Sequence, residues 1–160
     1  MAVSGYMKIA EIPGECGRKD HEEEIIISSL SWSAARPMTN TPGVGRSTGM
    51  ANVSSLSITK LYDKSSPYLS QAVLLATSFP KIIVTLRKDS GETHLDYLTI
   101  TLGDCMIESY NFSGASEVET PPMESVSIVF NKLKVLYIEQ ASDHSAGGEH
   151  EFEYDLVAGA

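Results

Sequence analysis

Four groups of residues have side chains of types that do chemistry. Ser90, His94 and Asp96 supply a hydroxyl, an imidazole and a carboxylate, the parts of a hydrolytic relay. On a strand, His94 and Asp96 stand two residues apart and share a face. No nucleophile elbow surrounds any serine, however, and Ser90 falls in the turn Lys88–Asp89–Ser90–Gly91, so a hydrolase using His94 and Asp96 is the last-ranked reading. His21-Glu22-Glu23-Glu24 holds metal-ligand types, and His21 and Glu23 converge if the segment is extended, yet no second histidine lies near them in sequence. The stretch reads as solvated charge. His144, Glu149, His150 and Glu151 are also ligand types, but a Gly-rich spacer preorganises nothing and the polar-tail reading is preferred. Gly43-Val44-Gly45-Arg46-Ser47-Thr48-Gly49 superficially has the glycines of a phosphate loop; it lacks the Gly-Lys-Ser/Thr ending, and no helix follows to offer its N-terminus. No catalytic residue, cofactor or metal site is therefore assigned.

The elements that would have to position such groups are mostly strands. Tyr6–Ile9 is short and β-like and closes on the turn Pro13-Gly14. Ile25–Ser33 begins with a β-branched run and continues with Leu30 and Trp32 alternating with serines, which makes Trp32 a core or interface anchor. Leu56 and Ile58 alternate with serine and threonine. Ser66 as cap and Pro67 as first residue predict a helix over about Pro67–Thr77, with Leu69, Ala72, Val73 and Ala76 on one face and Phe79-Pro80 beyond its end. After it the chain is β throughout: Ile82–Arg87, with Arg87 and Lys88 solvated beside the turn; Tyr97–Leu102, broken at Gly103-Asp104 and resuming at Cys105–Phe112; Val126–Phe130; Leu133–Tyr137; and a last strand near Glu151–Leu156. The alternation slips near Asn131-Lys132, which predicts a bulge or tight turn. Ala141–His150 reads as a surface loop or frayed segment.

Between Arg36 and Met50 the pattern disappears. Pro37, Pro42, Gly43, Gly45 and Gly49 sit among Thr, Asn and Ser, predicting a long loop with no packed core of its own. The expectation is one domain over 1–160, mostly β, a barrel or sandwich of two packed sheets with one short helix.

Composition narrows the function classes. A chain of 160 residues with 42% hydrophobic residues can bury a core without metals or disulfides. A net charge of -9 argues against nucleic acid, which demands a basic footprint, and against anionic membrane surfaces. No apolar run approaches the roughly 20 residues of a membrane-spanning helix. The N-terminus has no basic region followed by an apolar one, so no secretory signal is read. Cys16 and Cys105 match no metal or redox spacing and are expected to be free thiols of a cytoplasmically folded chain.

Four ordered segments carry a resemblance. They are Tyr6-Met7-Lys8-Ile9 through Pro13-Gly14-Glu15 with Leu30-Ser31-Trp32-Ser33; Leu56–Lys60 with Asp63-Lys64-Ser65-Ser66-Pro67-Tyr68-Leu69; Val84–Lys88 with Tyr97–Leu102; and Glu124–Phe130 with Lys132–Val135. Together they resemble the haemolysin-coregulated protein (Hcp) family, the tube protein of type VI secretion. The Thr-Lys followed by Asp-Lys-Ser-Ser-Pro series is the most specific. The chain departs from the pattern at Cys16, at Ala34-Ala35 and at Ser116–Pro122. The resemblance implies a homo-hexameric ring, stacked rings forming a tube, spike and sheath proteins as partners, and small effectors carried in the lumen. It also implies export from the bacterial cytoplasm through the type VI apparatus, without a signal peptide. The 36–50 loop, with Arg36, Pro37, Met38, Gly43 and Arg46, is then expected to contact the next ring. A secreted effector or binding variant of the same fold is the alternative; with only Glu151–Ala160 beyond the tube domain, no fused toxin is expected.

Overall fold

The structure is a computed structural model describing residues 2–160. One strand organises it. Ser78–Ser90 (β9 in chain order) turns at Gly91-Glu92 into Thr93–Ser113 (β10), and the two pair from Ser90↔Thr93 down to Ser78↔Met106. The turn lies one or two residues beyond the expected position, with Gly91 supplying the positive φ (61°) that glycine adopts without steric cost. β10 also runs through Gly103-Asp104, where the sequence predicts a break. The strand bends there instead, with Asp104 at φ 51°.

Along its other edge β10 carries two strands end to end. Met123–Val129 (β11) pairs with its second half and Lys132–Gln140 (β12) with Leu98–Gly103. The expected slip near Asn131 is the junction between them, where the Asn131 N–H donates to the Gly103 carbonyl (3.0 Å). From this junction the sheet splits. On one side Ala146–Asp155 (β13) pairs with β12, and Ala2–Lys8 (β1) pairs with β9. On the other, Leu56–Leu61 (β8) pairs with β11. Ile25–Ile27 (β2) joins β1 and Ser29–Ser31 (β3) joins β8, so one extended segment divides at Ser28 between the two halves. The sheets wrap around a shared core but are not closed into a barrel by hydrogen bonds.

The core faces follow the alternation. Leu56 and Ile58 on β8, Val126 and Ile128 on β11, Ile82 and Val84 on β9, and Leu102 and Cys105 on β10 are buried together. The single helix (α1) spans Ser66–Leu74 and lays Leu69 and Ala72 on this core. Its cap position is Ser65, not Ser66. It stops before Thr77 because Ala76 takes a left-handed φ of 52° and the Thr77 N–H reaches back to the Ala72 carbonyl. Pro80 lies within β9.

Two further segments depart from expectation. The polar stretch 36–50 is a β-hairpin, Met38–Thr41 (β5) against Gly45–Thr48 (β6), rooted on the short ladder of Ala34–Ala35 (β4) and Asn52–Val53 (β7). Gly43 and Gly45, at φ 85° and 80°, make its tip. It extends the β3–β8 pairing as one long arm, and every residue of β5 and β6 is exposed. The predicted polar loop Ala141–His150 is in part strand, because β13 begins at Ala146 and pairs with β12 from Gln140. Cys16 and Cys105 are both free and buried, and burial pushes the Cys105 thiol up to about 11.

Candidate functional site

The expected hydrolytic group is not assembled. His94 Nδ1 bonds Asp89 (2.6 Å) across the hairpin, and Asp96 turns instead to Arg87 Nε (2.7 Å) and His21 Nε2 (3.1 Å). Each takes its cross-strand partner, because the β9–β10 register sets His94 opposite Asp89 and Asp96 opposite Arg87.

What Asp96 joins corrects two sequence readings. His21 and Arg87, expected to be solvated, are 4% and 5% exposed. His21 stacks on Tyr6 with ring centroids 4.3 Å apart, and its Nδ1 faces Glu24. Arg87 reaches the Lys19 carbonyl (3.0 Å). The residues before β2 thus form a roof over the outer face of β1 and β9, pinned by a chain of hydrogen bonds from Glu24 through His21 and Asp96 to Arg87. Burial pushes the Asp96 carboxyl up, but hydrogen bonds from Arg87 and His21 outweigh it and hold the group below its usual range. Among the described residues no group of three or more His, Cys, Asp or Glu side chains is placed to hold a metal.

The most specific sequence motif turns out to be a buried polar knot. Lys60 and Glu124 stand opposite each other on β8 and β11, exposed by 0% and 1%. Lys60 Nζ faces Glu124 Oε1 (2.7 Å), Ser66 Oγ (3.0 Å), Asp63 Oδ1 (3.1 Å) and the Leu61 carbonyl (3.1 Å). Ser66 donates to Glu124 while accepting from the Asp63 N–H (3.0 Å), which is why its hydroxyl does not cap the helix. Burial, and then Glu124 beside it, push the Tyr110 phenol well above its usual value. The knot fastens the start of α1 to the sheet and has no opening for a substrate. A signal for it exists in the sequence: Lys60 follows Leu56 and Ile58 at inward parity, and Glu124 precedes Val126 and Ile128 at inward parity.

The largest exposed feature outside these networks is the arm. The arm presents Met38, Val44 and Met50 to solvent at 58%, 80% and 83% exposure, with Arg36 and Arg46 among them. Arg46 bonds only Asn40 (3.1 Å) within its own hairpin. Pro37 receives the Gly49 N–H on its carbonyl (2.8 Å), closing the arm's root. β13 is an outer strand with one unpaired edge, and such an edge is a template for another chain.

The geometry is thus a nine-stranded sheet folded over a shared core, with polar groups locked in its interior and an uncovered arm outside it. Residues 6–137 match the family described as "Type VI secretion system effector, Hcp". The chain is 35% identical to Protein hcp1 of Pseudomonas aeruginosa over 148 residues, covering 92% of this chain and 91% of that one. The crystal structure of Hcp1 from Salmonella typhimurium is 28% identical with a TM-score of 0.78, covering 99% of this chain and 97% of that one. A type six secretion system protein superposes at a TM-score of 0.93 with 24% identity and 99% coverage of both chains, a likeness of fold. The chain belongs to the Hcp family, secreted, non-enzymatic structural proteins of the type VI secretion system.

Proposed function

We propose that this chain is the tube subunit: six copies close into a ring, rings stack through the 36–50 arm, and small effector proteins travel in the lumen. Spike and sheath proteins are its partners in the exporting apparatus. The observation that carries the reading is the arm. A two-stranded hairpin is at best marginally stable in water by itself. This one projects from the fold with every strand residue exposed and with large apolar side chains at its surface. A neighbouring copy that covers Met38, Pro37, Gly43 and the two arginines would supply what the chain itself lacks. Head-to-tail contacts that close on themselves make a ring, and those that do not close make a filament. A tube uses both.

Electron microscopy of the purified protein tests this, together with a variant lacking Thr39–Thr48. Six-fold rings are expected from both chains, and stacks only from the parent. Equal stacking by the two would refute the role of the arm. A stable monomer of the parent would refute the ring and favour a secreted binding protein.

A further inference from the structure

The chain's charge is distributed with a polarity that its net value hides. From Ile25 to Tyr62 there is no Asp or Glu, although the chain has 21 of them. That segment contains the whole arm, with Arg36 and Arg46. Among the described residues neither arginine makes an ion pair, and the nearest acids in sequence are Glu24 and Asp63. The arm is therefore a locally cationic, unpaired surface on an acidic protein.

The complementary surface is at the other end of the same sheet. Strand register defines the two ends. The β9–β10 turn and the β12–β13 turn lie together at one end, since Leu98 stands opposite Tyr137 and Tyr137 opposite His150. The root of the arm lies at the other, where Arg36, Met50 and Val53 line a hollow with Tyr154, Leu156 and Gly159. The ends are roughly 26 Å apart along β12 at the usual rise per strand residue. Segments 89–96 and 138–156 contain no Lys or Arg. Their acids are partly engaged: Asp89 with His94, Glu139 with His150, Asp143 with Ser145. Glu92 and Glu149 are exposed, and neither makes an ion pair among the described residues.

Copies of a chain with net charge -9 repel one another. Contact between copies is then favoured where a locally positive surface meets a negative one, and the arm and the acidic turns offer such a pair at opposite ends of β12. We propose that Arg36 and Arg46 of one copy dock against the acidic turns around Glu92 and Glu149 of the next, so that contact between successive rings is keyed by charge. This rests on the arm being the stacking element. The same net charge disfavours nucleic acid or an anionic membrane as the occupant of the arm.

The test uses the full chain at two salt concentrations. Charges screen over about 10 Å at about 0.1 M salt and about 3 Å at about 1 M. Stacks read by sedimentation velocity are expected at the lower salt and single rings at the higher. The double variant Arg36→Glu with Arg46→Glu is expected to give single rings at both. The double variant Glu92→Lys with Glu149→Lys is expected to do the same alone. Mixed with the arginine variant, it should restore stacks in which the two alternate, which also shows that both variants fold. Stacking of the arginine variant at parental length overturns the proposal. If the Thr39–Thr48 deletion nevertheless prevents stacking, the role of the arm survives and only its charge keying fails. Loss of stacking in both variants without rescue on mixing overturns the assignment of the acidic turns as the receptor.

Discussion

Replacing Lys60 by methionine isolates the buried knot. The substitution keeps an unbranched apolar stem of similar length and removes the ammonium that faces Glu124, Ser66, Asp63 and the Leu61 carbonyl. Glu124 would keep only the Ser66 hydroxyl on Oε1, and its Oε2 already has no hydrogen-bond partner among the described residues. Neither side chain of the pair touches solvent, so water cannot screen what is lost. Removing one member of such a pair costs about 3–5 kcal/mol. For a chain of this length each kcal/mol moves the melting temperature by about 2–4 °C, giving a fall of about 6–20 °C. Thermal and urea unfolding at one protein concentration and one salt would measure it, because assembly adds its own stabilisation. The double variant Lys60→Met with Glu124→Leu removes both charges and should recover most of the loss. A cost below about 1 kcal/mol for Lys60→Met would refute the reasoning. So would a double variant less stable than the single one, since the penalty is assigned to an unpaired buried carboxylate.

Asp96→Asn should make stability less dependent on pH in acid. The Asp96 carboxyl is held below its usual value, so its contribution is present above the unfolded pKa of about 3.9 and is lost as pH falls through the lower folded value. The gap between parent and variant in urea midpoint should be constant near neutrality and shrink below about pH 4; a gap independent of pH down to acid unfolding would count against the Arg87–Asp96–His21 network. Gly14→Ala should destabilise by about 1–3 kcal/mol through overpacking. An added Cβ would lie 2.3 Å from the Glu24 carbonyl oxygen, a backbone atom that cannot swing aside. An unchanged urea midpoint would show that the roof over β1 yields freely.

The parts of this fold visible in the sequence were those set by neighbours a few residues away. Alternation located most of the long strands, the slip at Asn131 marked where β11 gives way to β12, and Pro67 marked the start of the helix. What local pattern cannot report is pairing over distance. His21 sits in a run of charge that looks solvated, and besides Glu24 its burial depends on Asp96, 75 residues further along, and on stacking with Tyr6. Arg87 was misjudged for the same reason, since its partners come from β10 and from the roof. The arm was hidden differently. Its Gly and Pro residues announce a turn correctly at Gly43 and Gly45, but the flanking Thr, Ser and Asn residues carry no apolar face, so a strand without a core to face has no alternation to show. The candidate assembly residues were legible as a segment, while their conformation was not.

The long reach of β9 and β10 has a consequence for timing. Gly5 pairs with Ile27 on one side and Leu86 on the other, so the link from the first strand to the main sheet waits until 81 further residues have been added. At about 5–20 residues per second of synthesis that is a wait of about 4–16 s. β3 likewise waits for β8, since Ser29 stands opposite Thr59. Sheets built from such distant pairs fold slowly, because loop closure is paid before the contacts form. Through that interval the Ile25–Ile27 run has only β1 to pair with, and the arm is on the nascent chain before β9–β13 exist. Of the two acidic turns, β9–β10 is made just past mid-chain and β12–β13 near the end. Under the proposed charge keying, a docking surface completed only with the β12–β13 turn would keep unfinished chains out of the stack.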